Sequence, residues 1–69
     1  MKIWRNHDDV RKTVKQLVYW QNNHHTVPPI LIDAVKNILR YSTKGQILLF
    51  FNELQIKAPD LLHLFSDLE

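Results

Sequence analysis

The chain contains no cysteine. That absence excludes a disulfide framework, a thiolate zinc site and a cysteine nucleophile together. Glycine is nearly absent as well: Gly45 stands alone, so there is no glycine-rich turn to wrap a phosphate or a dinucleotide. The three prolines fall in two places, Pro28-Pro29 and Pro59, and leave long stretches unbroken. Large apolar residues never run longer than the five from 47 to 51, against the ~20 that span a bilayer. The opening MKIWRNHDDVRK has charge but no apolar stretch behind it, so no export signal is read and a cytoplasmic protein is expected. No segment alternates apolar and polar residues as a half-buried strand does.

What remains is short and greasy. Sixty-nine residues make one domain, 1–69. A chain of this size buries only about 60% of the surface its unfolded form exposes. Its own core is then worth only ~3–5 kcal/mol. Without a disulfide, the routes to further stability are very good packing, oligomerisation or a bound partner.

The punctuation predicts an all-α fold, a small four-helix domain with helices at about 7–22, 29–41, 44–57 and 59–68. Asn6 is a suitable N-cap, with Asp8 and Asp9 in the first turn where the helix dipole favours carboxylates. Val10, Val14, Leu17 and Val18 then recur at helical spacing. Trp4, ahead of the cap, is placed to staple onto Val10 or its neighbours. Val27-Pro28 is extended because residues before proline avoid the α region, and Pro29 suits the first position of a second helix. That helix carries Leu31, Ala34, Val35, Ile38 and Leu39 on one face. Thr43 and Gln46 form a capping box for the third, which the short link joins to the second as a hairpin or corner. In KGQILLFFNELQIK, Ile47, Phe51 and Leu54 share a face, Phe50 and Leu48 flank it, and Leu49 and Ile56 project away. A helix apolar nearly all round needs neighbours on more than one side, so helix 3 is expected to be central. Leu61, Leu64, Phe65 and Leu68 make the stripe of the last helix.

Charge is uneven. Residues 1–44 hold eight basic side chains against three acidic ones, whereas 45–69 hold one against four. Such polarity suits antiparallel or head-to-tail self-association, or an anionic partner; solvation of two outer faces is the plainer account. Arg11, Lys12, Lys15 and Tyr19 share the polar side of helix 1. A basic stripe with an aromatic is what a phosphate-contacting, base-stacking surface needs, but three cations are few for a nucleic-acid binder. Helix 3 makes a poor recognition helix because ILLFF has no polar reading face.

Catalytic and metal chemistry have little support. The two serines, Ser42 and Ser66, stand in no nucleophile motif. His7, His24, His25 and His63 have no metal-ligand spacing. No cofactor, metal, small-molecule substrate or membrane is expected, nor room for a ligand pocket of ~300 Å³ or more. Leu, Ile, Val and Phe fill 24 of 69 positions, more than four short helices bury easily. Leu49, Ile56, Leu62, Trp4, Trp20 and Tyr41 are the side chains expected to be left over. Apolar patches with aromatic anchors mark interfaces. The expected function is a regulatory or adaptor protein working by protein–protein contact, as a homodimer with helices 3 and 4 nearest the axis. The alternative is a nucleic-acid-binding regulator using helix 1.

Overall fold

The computed structural model describes residues 3–68, and among these it is all-helical, without a strand. Three α-helices, α1 (His7–His24), α2 (Pro29–Arg40) and α3 (Lys44–Lys57), are followed by a C-terminal 3-10 helix (Pro59–Leu68). They fill a body of 30 × 24 × 23 Å. No helix among the described residues is long and apolar enough to cross a membrane.

Each boundary has a local cause. Asn6 is extended and its side chain accepts from the Asp9 N–H at 3.0 Å, which starts α1. α1 runs two residues past the expected end and stops at His25, whose N–H still donates to the Gln21 carbonyl at 3.0 Å while its left-handed φ of 60° turns the following chain out of the helix. Such a helix stop usually carries glycine, because an L side chain crowds the left-handed backbone by about 1–2 kcal/mol. His25→Gly is therefore expected to raise stability by about 1 kcal/mol, read as a higher urea midpoint at unchanged m-value. An unchanged or lower midpoint would show that the His25 side chain contributes more than the backbone strain costs.

α2 begins on Pro29, and both Leu31 and Ile32 donate to the Pro28 carbonyl. The capping box of α3 is complete: Gln46 N–H donates to Thr43 Oγ1 at 3.3 Å, and Thr43 N–H to Gln46 Oε1 at 3.2 Å. The last helix departs from the expected α form. At ~2.0 Å per residue, ten residues of 3-10 helix span about 20 Å rather than ~15 Å, enough to reach both α2 and α3. Residues four apart are then about 120° apart around the axis, so Leu61 and Phe65 face different neighbours.

α3 packs on α1 along one flank and on the 3-10 helix along another, as its all-round apolar character requires. α2 packs chiefly on the 3-10 helix instead of α3. The short link is thus a corner, not a hairpin. The core centres on Phe50: its ring stacks on Trp4 at 5.4 Å and meets Phe51 and Phe65 edge-on, each at 5.4 Å. Val10, Val14, Leu17, Val35, Leu39 and Leu54 complete it.

One expectation within α3 is corrected. Phe50 and Leu54 form the centre of the buried face, with Ile47 and Phe51 half-buried beside them, and Leu48 lies outside. The cause is the two-sided packing. Neighbours on both flanks centre the buried arc between them, and Trp4 arrives from the N-terminal segment to cover Phe50.

Candidate functional site

With Phe50 and Leu54 turned inward, helical geometry turns Leu48, Asn52 and Gln55 outward, with Ile56 and Gly45 at the edge of the same arc. All five are exposed. Leu48 keeps 63% of its surface and Ile56 69%. A Cβ built on Gly45 would meet nothing within 4 Å, so this end of the face is open. Between Lys44 and Lys57 the only charged residue of α3 is Glu53, and it turns aside to Arg11 at 3.8 Å and Lys57 at 3.6 Å. The open face of α3 is therefore an uncharged ridge bearing two large aliphatic side chains.

α2 repeats the pattern. Val35 and Leu39 are buried. On the opposite side, flanked by exposed Asp33 and by Arg40, whose guanidinium donates to Asn37 at 3.2 Å, Ile30, Ala34 and Tyr41 are exposed and Asn37 is half-buried. These four fall at i, i+4, i+7 and i+11, a single stripe along the helix. Ile30 is 83% and Tyr41 71% exposed. Large apolar side chains gathered on a surface mark binding sites more often than the same residues scattered singly.

The six side chains expected to be left over divide. Ile56 and Tyr41 are exposed, whereas Leu49, Leu62 and Trp20 are half-buried against the core. Trp4 leaves the set altogether: it is 6% exposed. Its indole N–H donates to Thr13 Oγ1 at 2.8 Å, and its carbonyl accepts from Gln46 Nε2 at 3.0 Å. Ile3, Ile30 and Leu48 are exposed aliphatics outside that expected set. For Leu48 the signal was its distance of two positions from Phe50, which is ~200° around a helix.

The basic side of α1 is only partly free. Arg11 lies between Asp8 at 3.7 Å and Glu53 at 3.8 Å and acts as a tie from α1 to α3. Lys12, Lys15 and Tyr19 are exposed. Tyr19 meets Trp20 edge-on at 6.1 Å, and His24 tilts over Trp20 at 4.7 Å. These three rings form an aromatic cluster at the end of α1.

Two open clefts exceed the expected room. The first, about 420 Å³, lies among Ile3, Trp4, Lys12, Thr13, Gln16 and Ile38. The second, about 320 Å³, gathers His25, Asp60 and His63 with Val27, Ile32 and Leu61. No three histidine or carboxylate groups among the described residues are placed to hold a metal ion. Adjacent in sequence, His24 and His25 do point apart, one to the aromatic cluster and one to the second cleft. The two serines are engaged with backbone: Ser42 Oγ donates to the Ile38 carbonyl at 2.6 Å and Ser66 Oγ to that of His63 at 3.2 Å. Comparison with protein-family models, with curated proteins and with solved structures finds no match to this chain.

Proposed function

We propose that the protein is a small non-enzymatic regulator or adaptor that works by protein–protein contact through its helix faces, as a homodimer that engages another protein. One observation carries this reading. α3 turns Leu48 and Ile56, and α2 Ile30 and Tyr41, to solvent on the side opposite their buried stripe. Burying a Leu or Ile side chain fully is worth about 1.5–3 kcal/mol, comparable with the whole stability expected of so small a core. Tyr41 adds an aromatic anchor of the kind that concentrates binding energy.

A second reading, contact with nucleic acid, rests on exposed Tyr19 beside exposed Lys12 and Lys15. Arg11, held by two carboxylates, supports it less than its sequence position suggested. The two readings separate by salt, since phosphate contacts weaken steeply as ionic strength rises and apolar contacts do not.

The test is single-site photocrosslinking in cells, with the probe at Tyr41, at Leu48 or at Lys15. Protein adducts at positions 41 and 48 are expected, resistant to raised salt, with no nucleic-acid adduct at 15. Nucleic-acid adducts at 15 with no protein adduct at 41 or 48 would overturn the proposal.

A further inference from the structure

We infer that α3 pairs with the α3 of a second copy, antiparallel, about a two-fold axis passing at Asn52. This rests on the protein-contact reading and names the occupant of one of its two faces. Lys44, Leu48, Asn52 and Ile56 stand four residues apart and form one continuous ridge, the unit that interdigitates when helices pack. A two-fold contact must be self-complementary: residue i meets j, and j meets i. With the axis at Asn52, Leu48 faces the partner's Ile56, and Asn52 faces the partner's Asn52. Both apolar side chains of the ridge then find apolar partners.

The charges choose the direction. Lys44, at the start of α3, and Asp60, three residues past its end, are both exposed. Neither forms an ion pair among the described residues. Antiparallel pairing brings each Lys44 to the end of the partner helix, where Lys57 is already paired with Glu53 and Asp60 of the partner subunit, which borders the second cleft, follows three residues on. Carbonyls left unpaired at that helix end add to the attraction. A parallel pair would instead set Lys44 against Lys44 of the partner subunit and leave both Asp60 carboxylates alone. Asn52, with its amide at the centre of an otherwise aliphatic seam, favours this register because any shift strands it against Leu or Ile. One face of a helix about 21 Å long buries less than the ~800 Å² per partner of a standard interface. The dimer is accordingly concentration-dependent.

A chain without cysteine gives a clean background for the test. Asn52→Cys, Leu48→Cys and Ile56→Cys are each oxidised mildly, and Leu48→Cys is also mixed with Ile56→Cys. In the inferred pair, two cysteines at 52 adjoin, whereas two at 48 lie about 12 Å apart along the axis, outside disulfide reach. Asn52→Cys alone and the 48/56 mixture are expected to crosslink roughly ten-fold faster than 48 alone or 56 alone. Sedimentation of the unmodified chain should show a mass rising from 8.3 kDa toward twice that value with concentration. Equal crosslinking at 48, 52 and 56 would indicate a parallel pair and overturn the inference. A constant 8.3 kDa mass with no crosslink at any site also overturns it. Protein adducts at Tyr41 would still stand in that case, so the two failures are distinguishable. Helicity of each variant, checked by circular dichroism, separates lost pairing from lost folding.

Discussion

Phe50→Ala is expected to leave the chain mostly unfolded at room temperature. The ring is fully buried and touches three other aromatic rings, those of Trp4, Phe51 and Phe65. Removing a buried Phe side chain costs about 3–5 kcal/mol, from lost transfer energy and the cavity left behind. A core of this size supplies only ~3–5 kcal/mol in all, so one substitution consumes most of it. The loss reaches every helix, because Phe50 meets the N-terminal segment through Trp4 and the C-terminal helix through Phe65. Loss of the cooperative urea transition in circular dichroism is the expected readout. A variant that keeps a cooperative transition within ~1 kcal/mol of the parent would mean that Phe50 is not the keystone of this core. Phe50→Leu, which keeps most of the volume, should remain folded and serve as the control.

The second large effect is expected at Trp4, where substitutions of graded size separate packing from hydrogen bonding. Trp4→Ala removes the ring stacked on Phe50 and is expected to cost about 3–5 kcal/mol. Trp4→Phe keeps much of the ring contact but loses the donor to Thr13, a difference of about 1 kcal/mol before the change of volume. Thr13→Val leaves the part-buried indole N–H beside an open cleft without its protein acceptor, which costs about 1 kcal/mol, the net worth of an ordinary hydrogen bond. It also removes the hydroxyl that donates to the Asp9 carbonyl at 3.0 Å, a bond of little consequence because α1 already holds that turn. The order of urea midpoints should be parent, then Trp4→Phe, then Trp4→Ala, with Thr13→Val close to Trp4→Phe. Unfolding free energies for all three within ~0.5 kcal/mol of the parent would mean that Trp4 contributes nothing to the fold.

The helix ends were written into short-range chemistry. Asn6 with Asp8 and Asp9, Pro28-Pro29, and Thr43 with Gln46 each satisfy or excuse backbone groups within three or four residues. A linear reading therefore finds them. The end of α1 was missed by two residues because His25 takes a left-handed conformation that its identity does not advertise. The place of α3 between two neighbours was legible for a different reason: a helix apolar nearly all round needs packing on more than one side, which α1 and the 3-10 helix supply.

Which side of each helix faced inward was less legible where the sequence was ambiguous. α1, with its clean stripe, was read correctly, and Val10, Val14 and Leu17 are buried. α3 has apolar residues in every direction, so periodicity could not choose among them. Packing on two flanks chose Phe50 and Leu54, and left Leu48 to the open face. Trp4 lies outside any helix and has no period to read. The staple rule points it toward Val10 and its neighbours, where Thr13 lies, but its burial also depends on Phe50, 46 positions away in the chain, and on Gln46, which no local rule links to it.

Four helical segments, the N-caps of α1 and α3 and the excess of apolar side chains are fixed by neighbours a few residues apart in the chain. How that excess divides between a buried Trp4 and the exposed side chains of α2 and α3 emerges only when the helices pack. That division follows from which helices touch. α2 leans on the 3-10 helix instead of α3, and contacts between distant segments are set by the shape of the whole core, which no single stretch of chain contains.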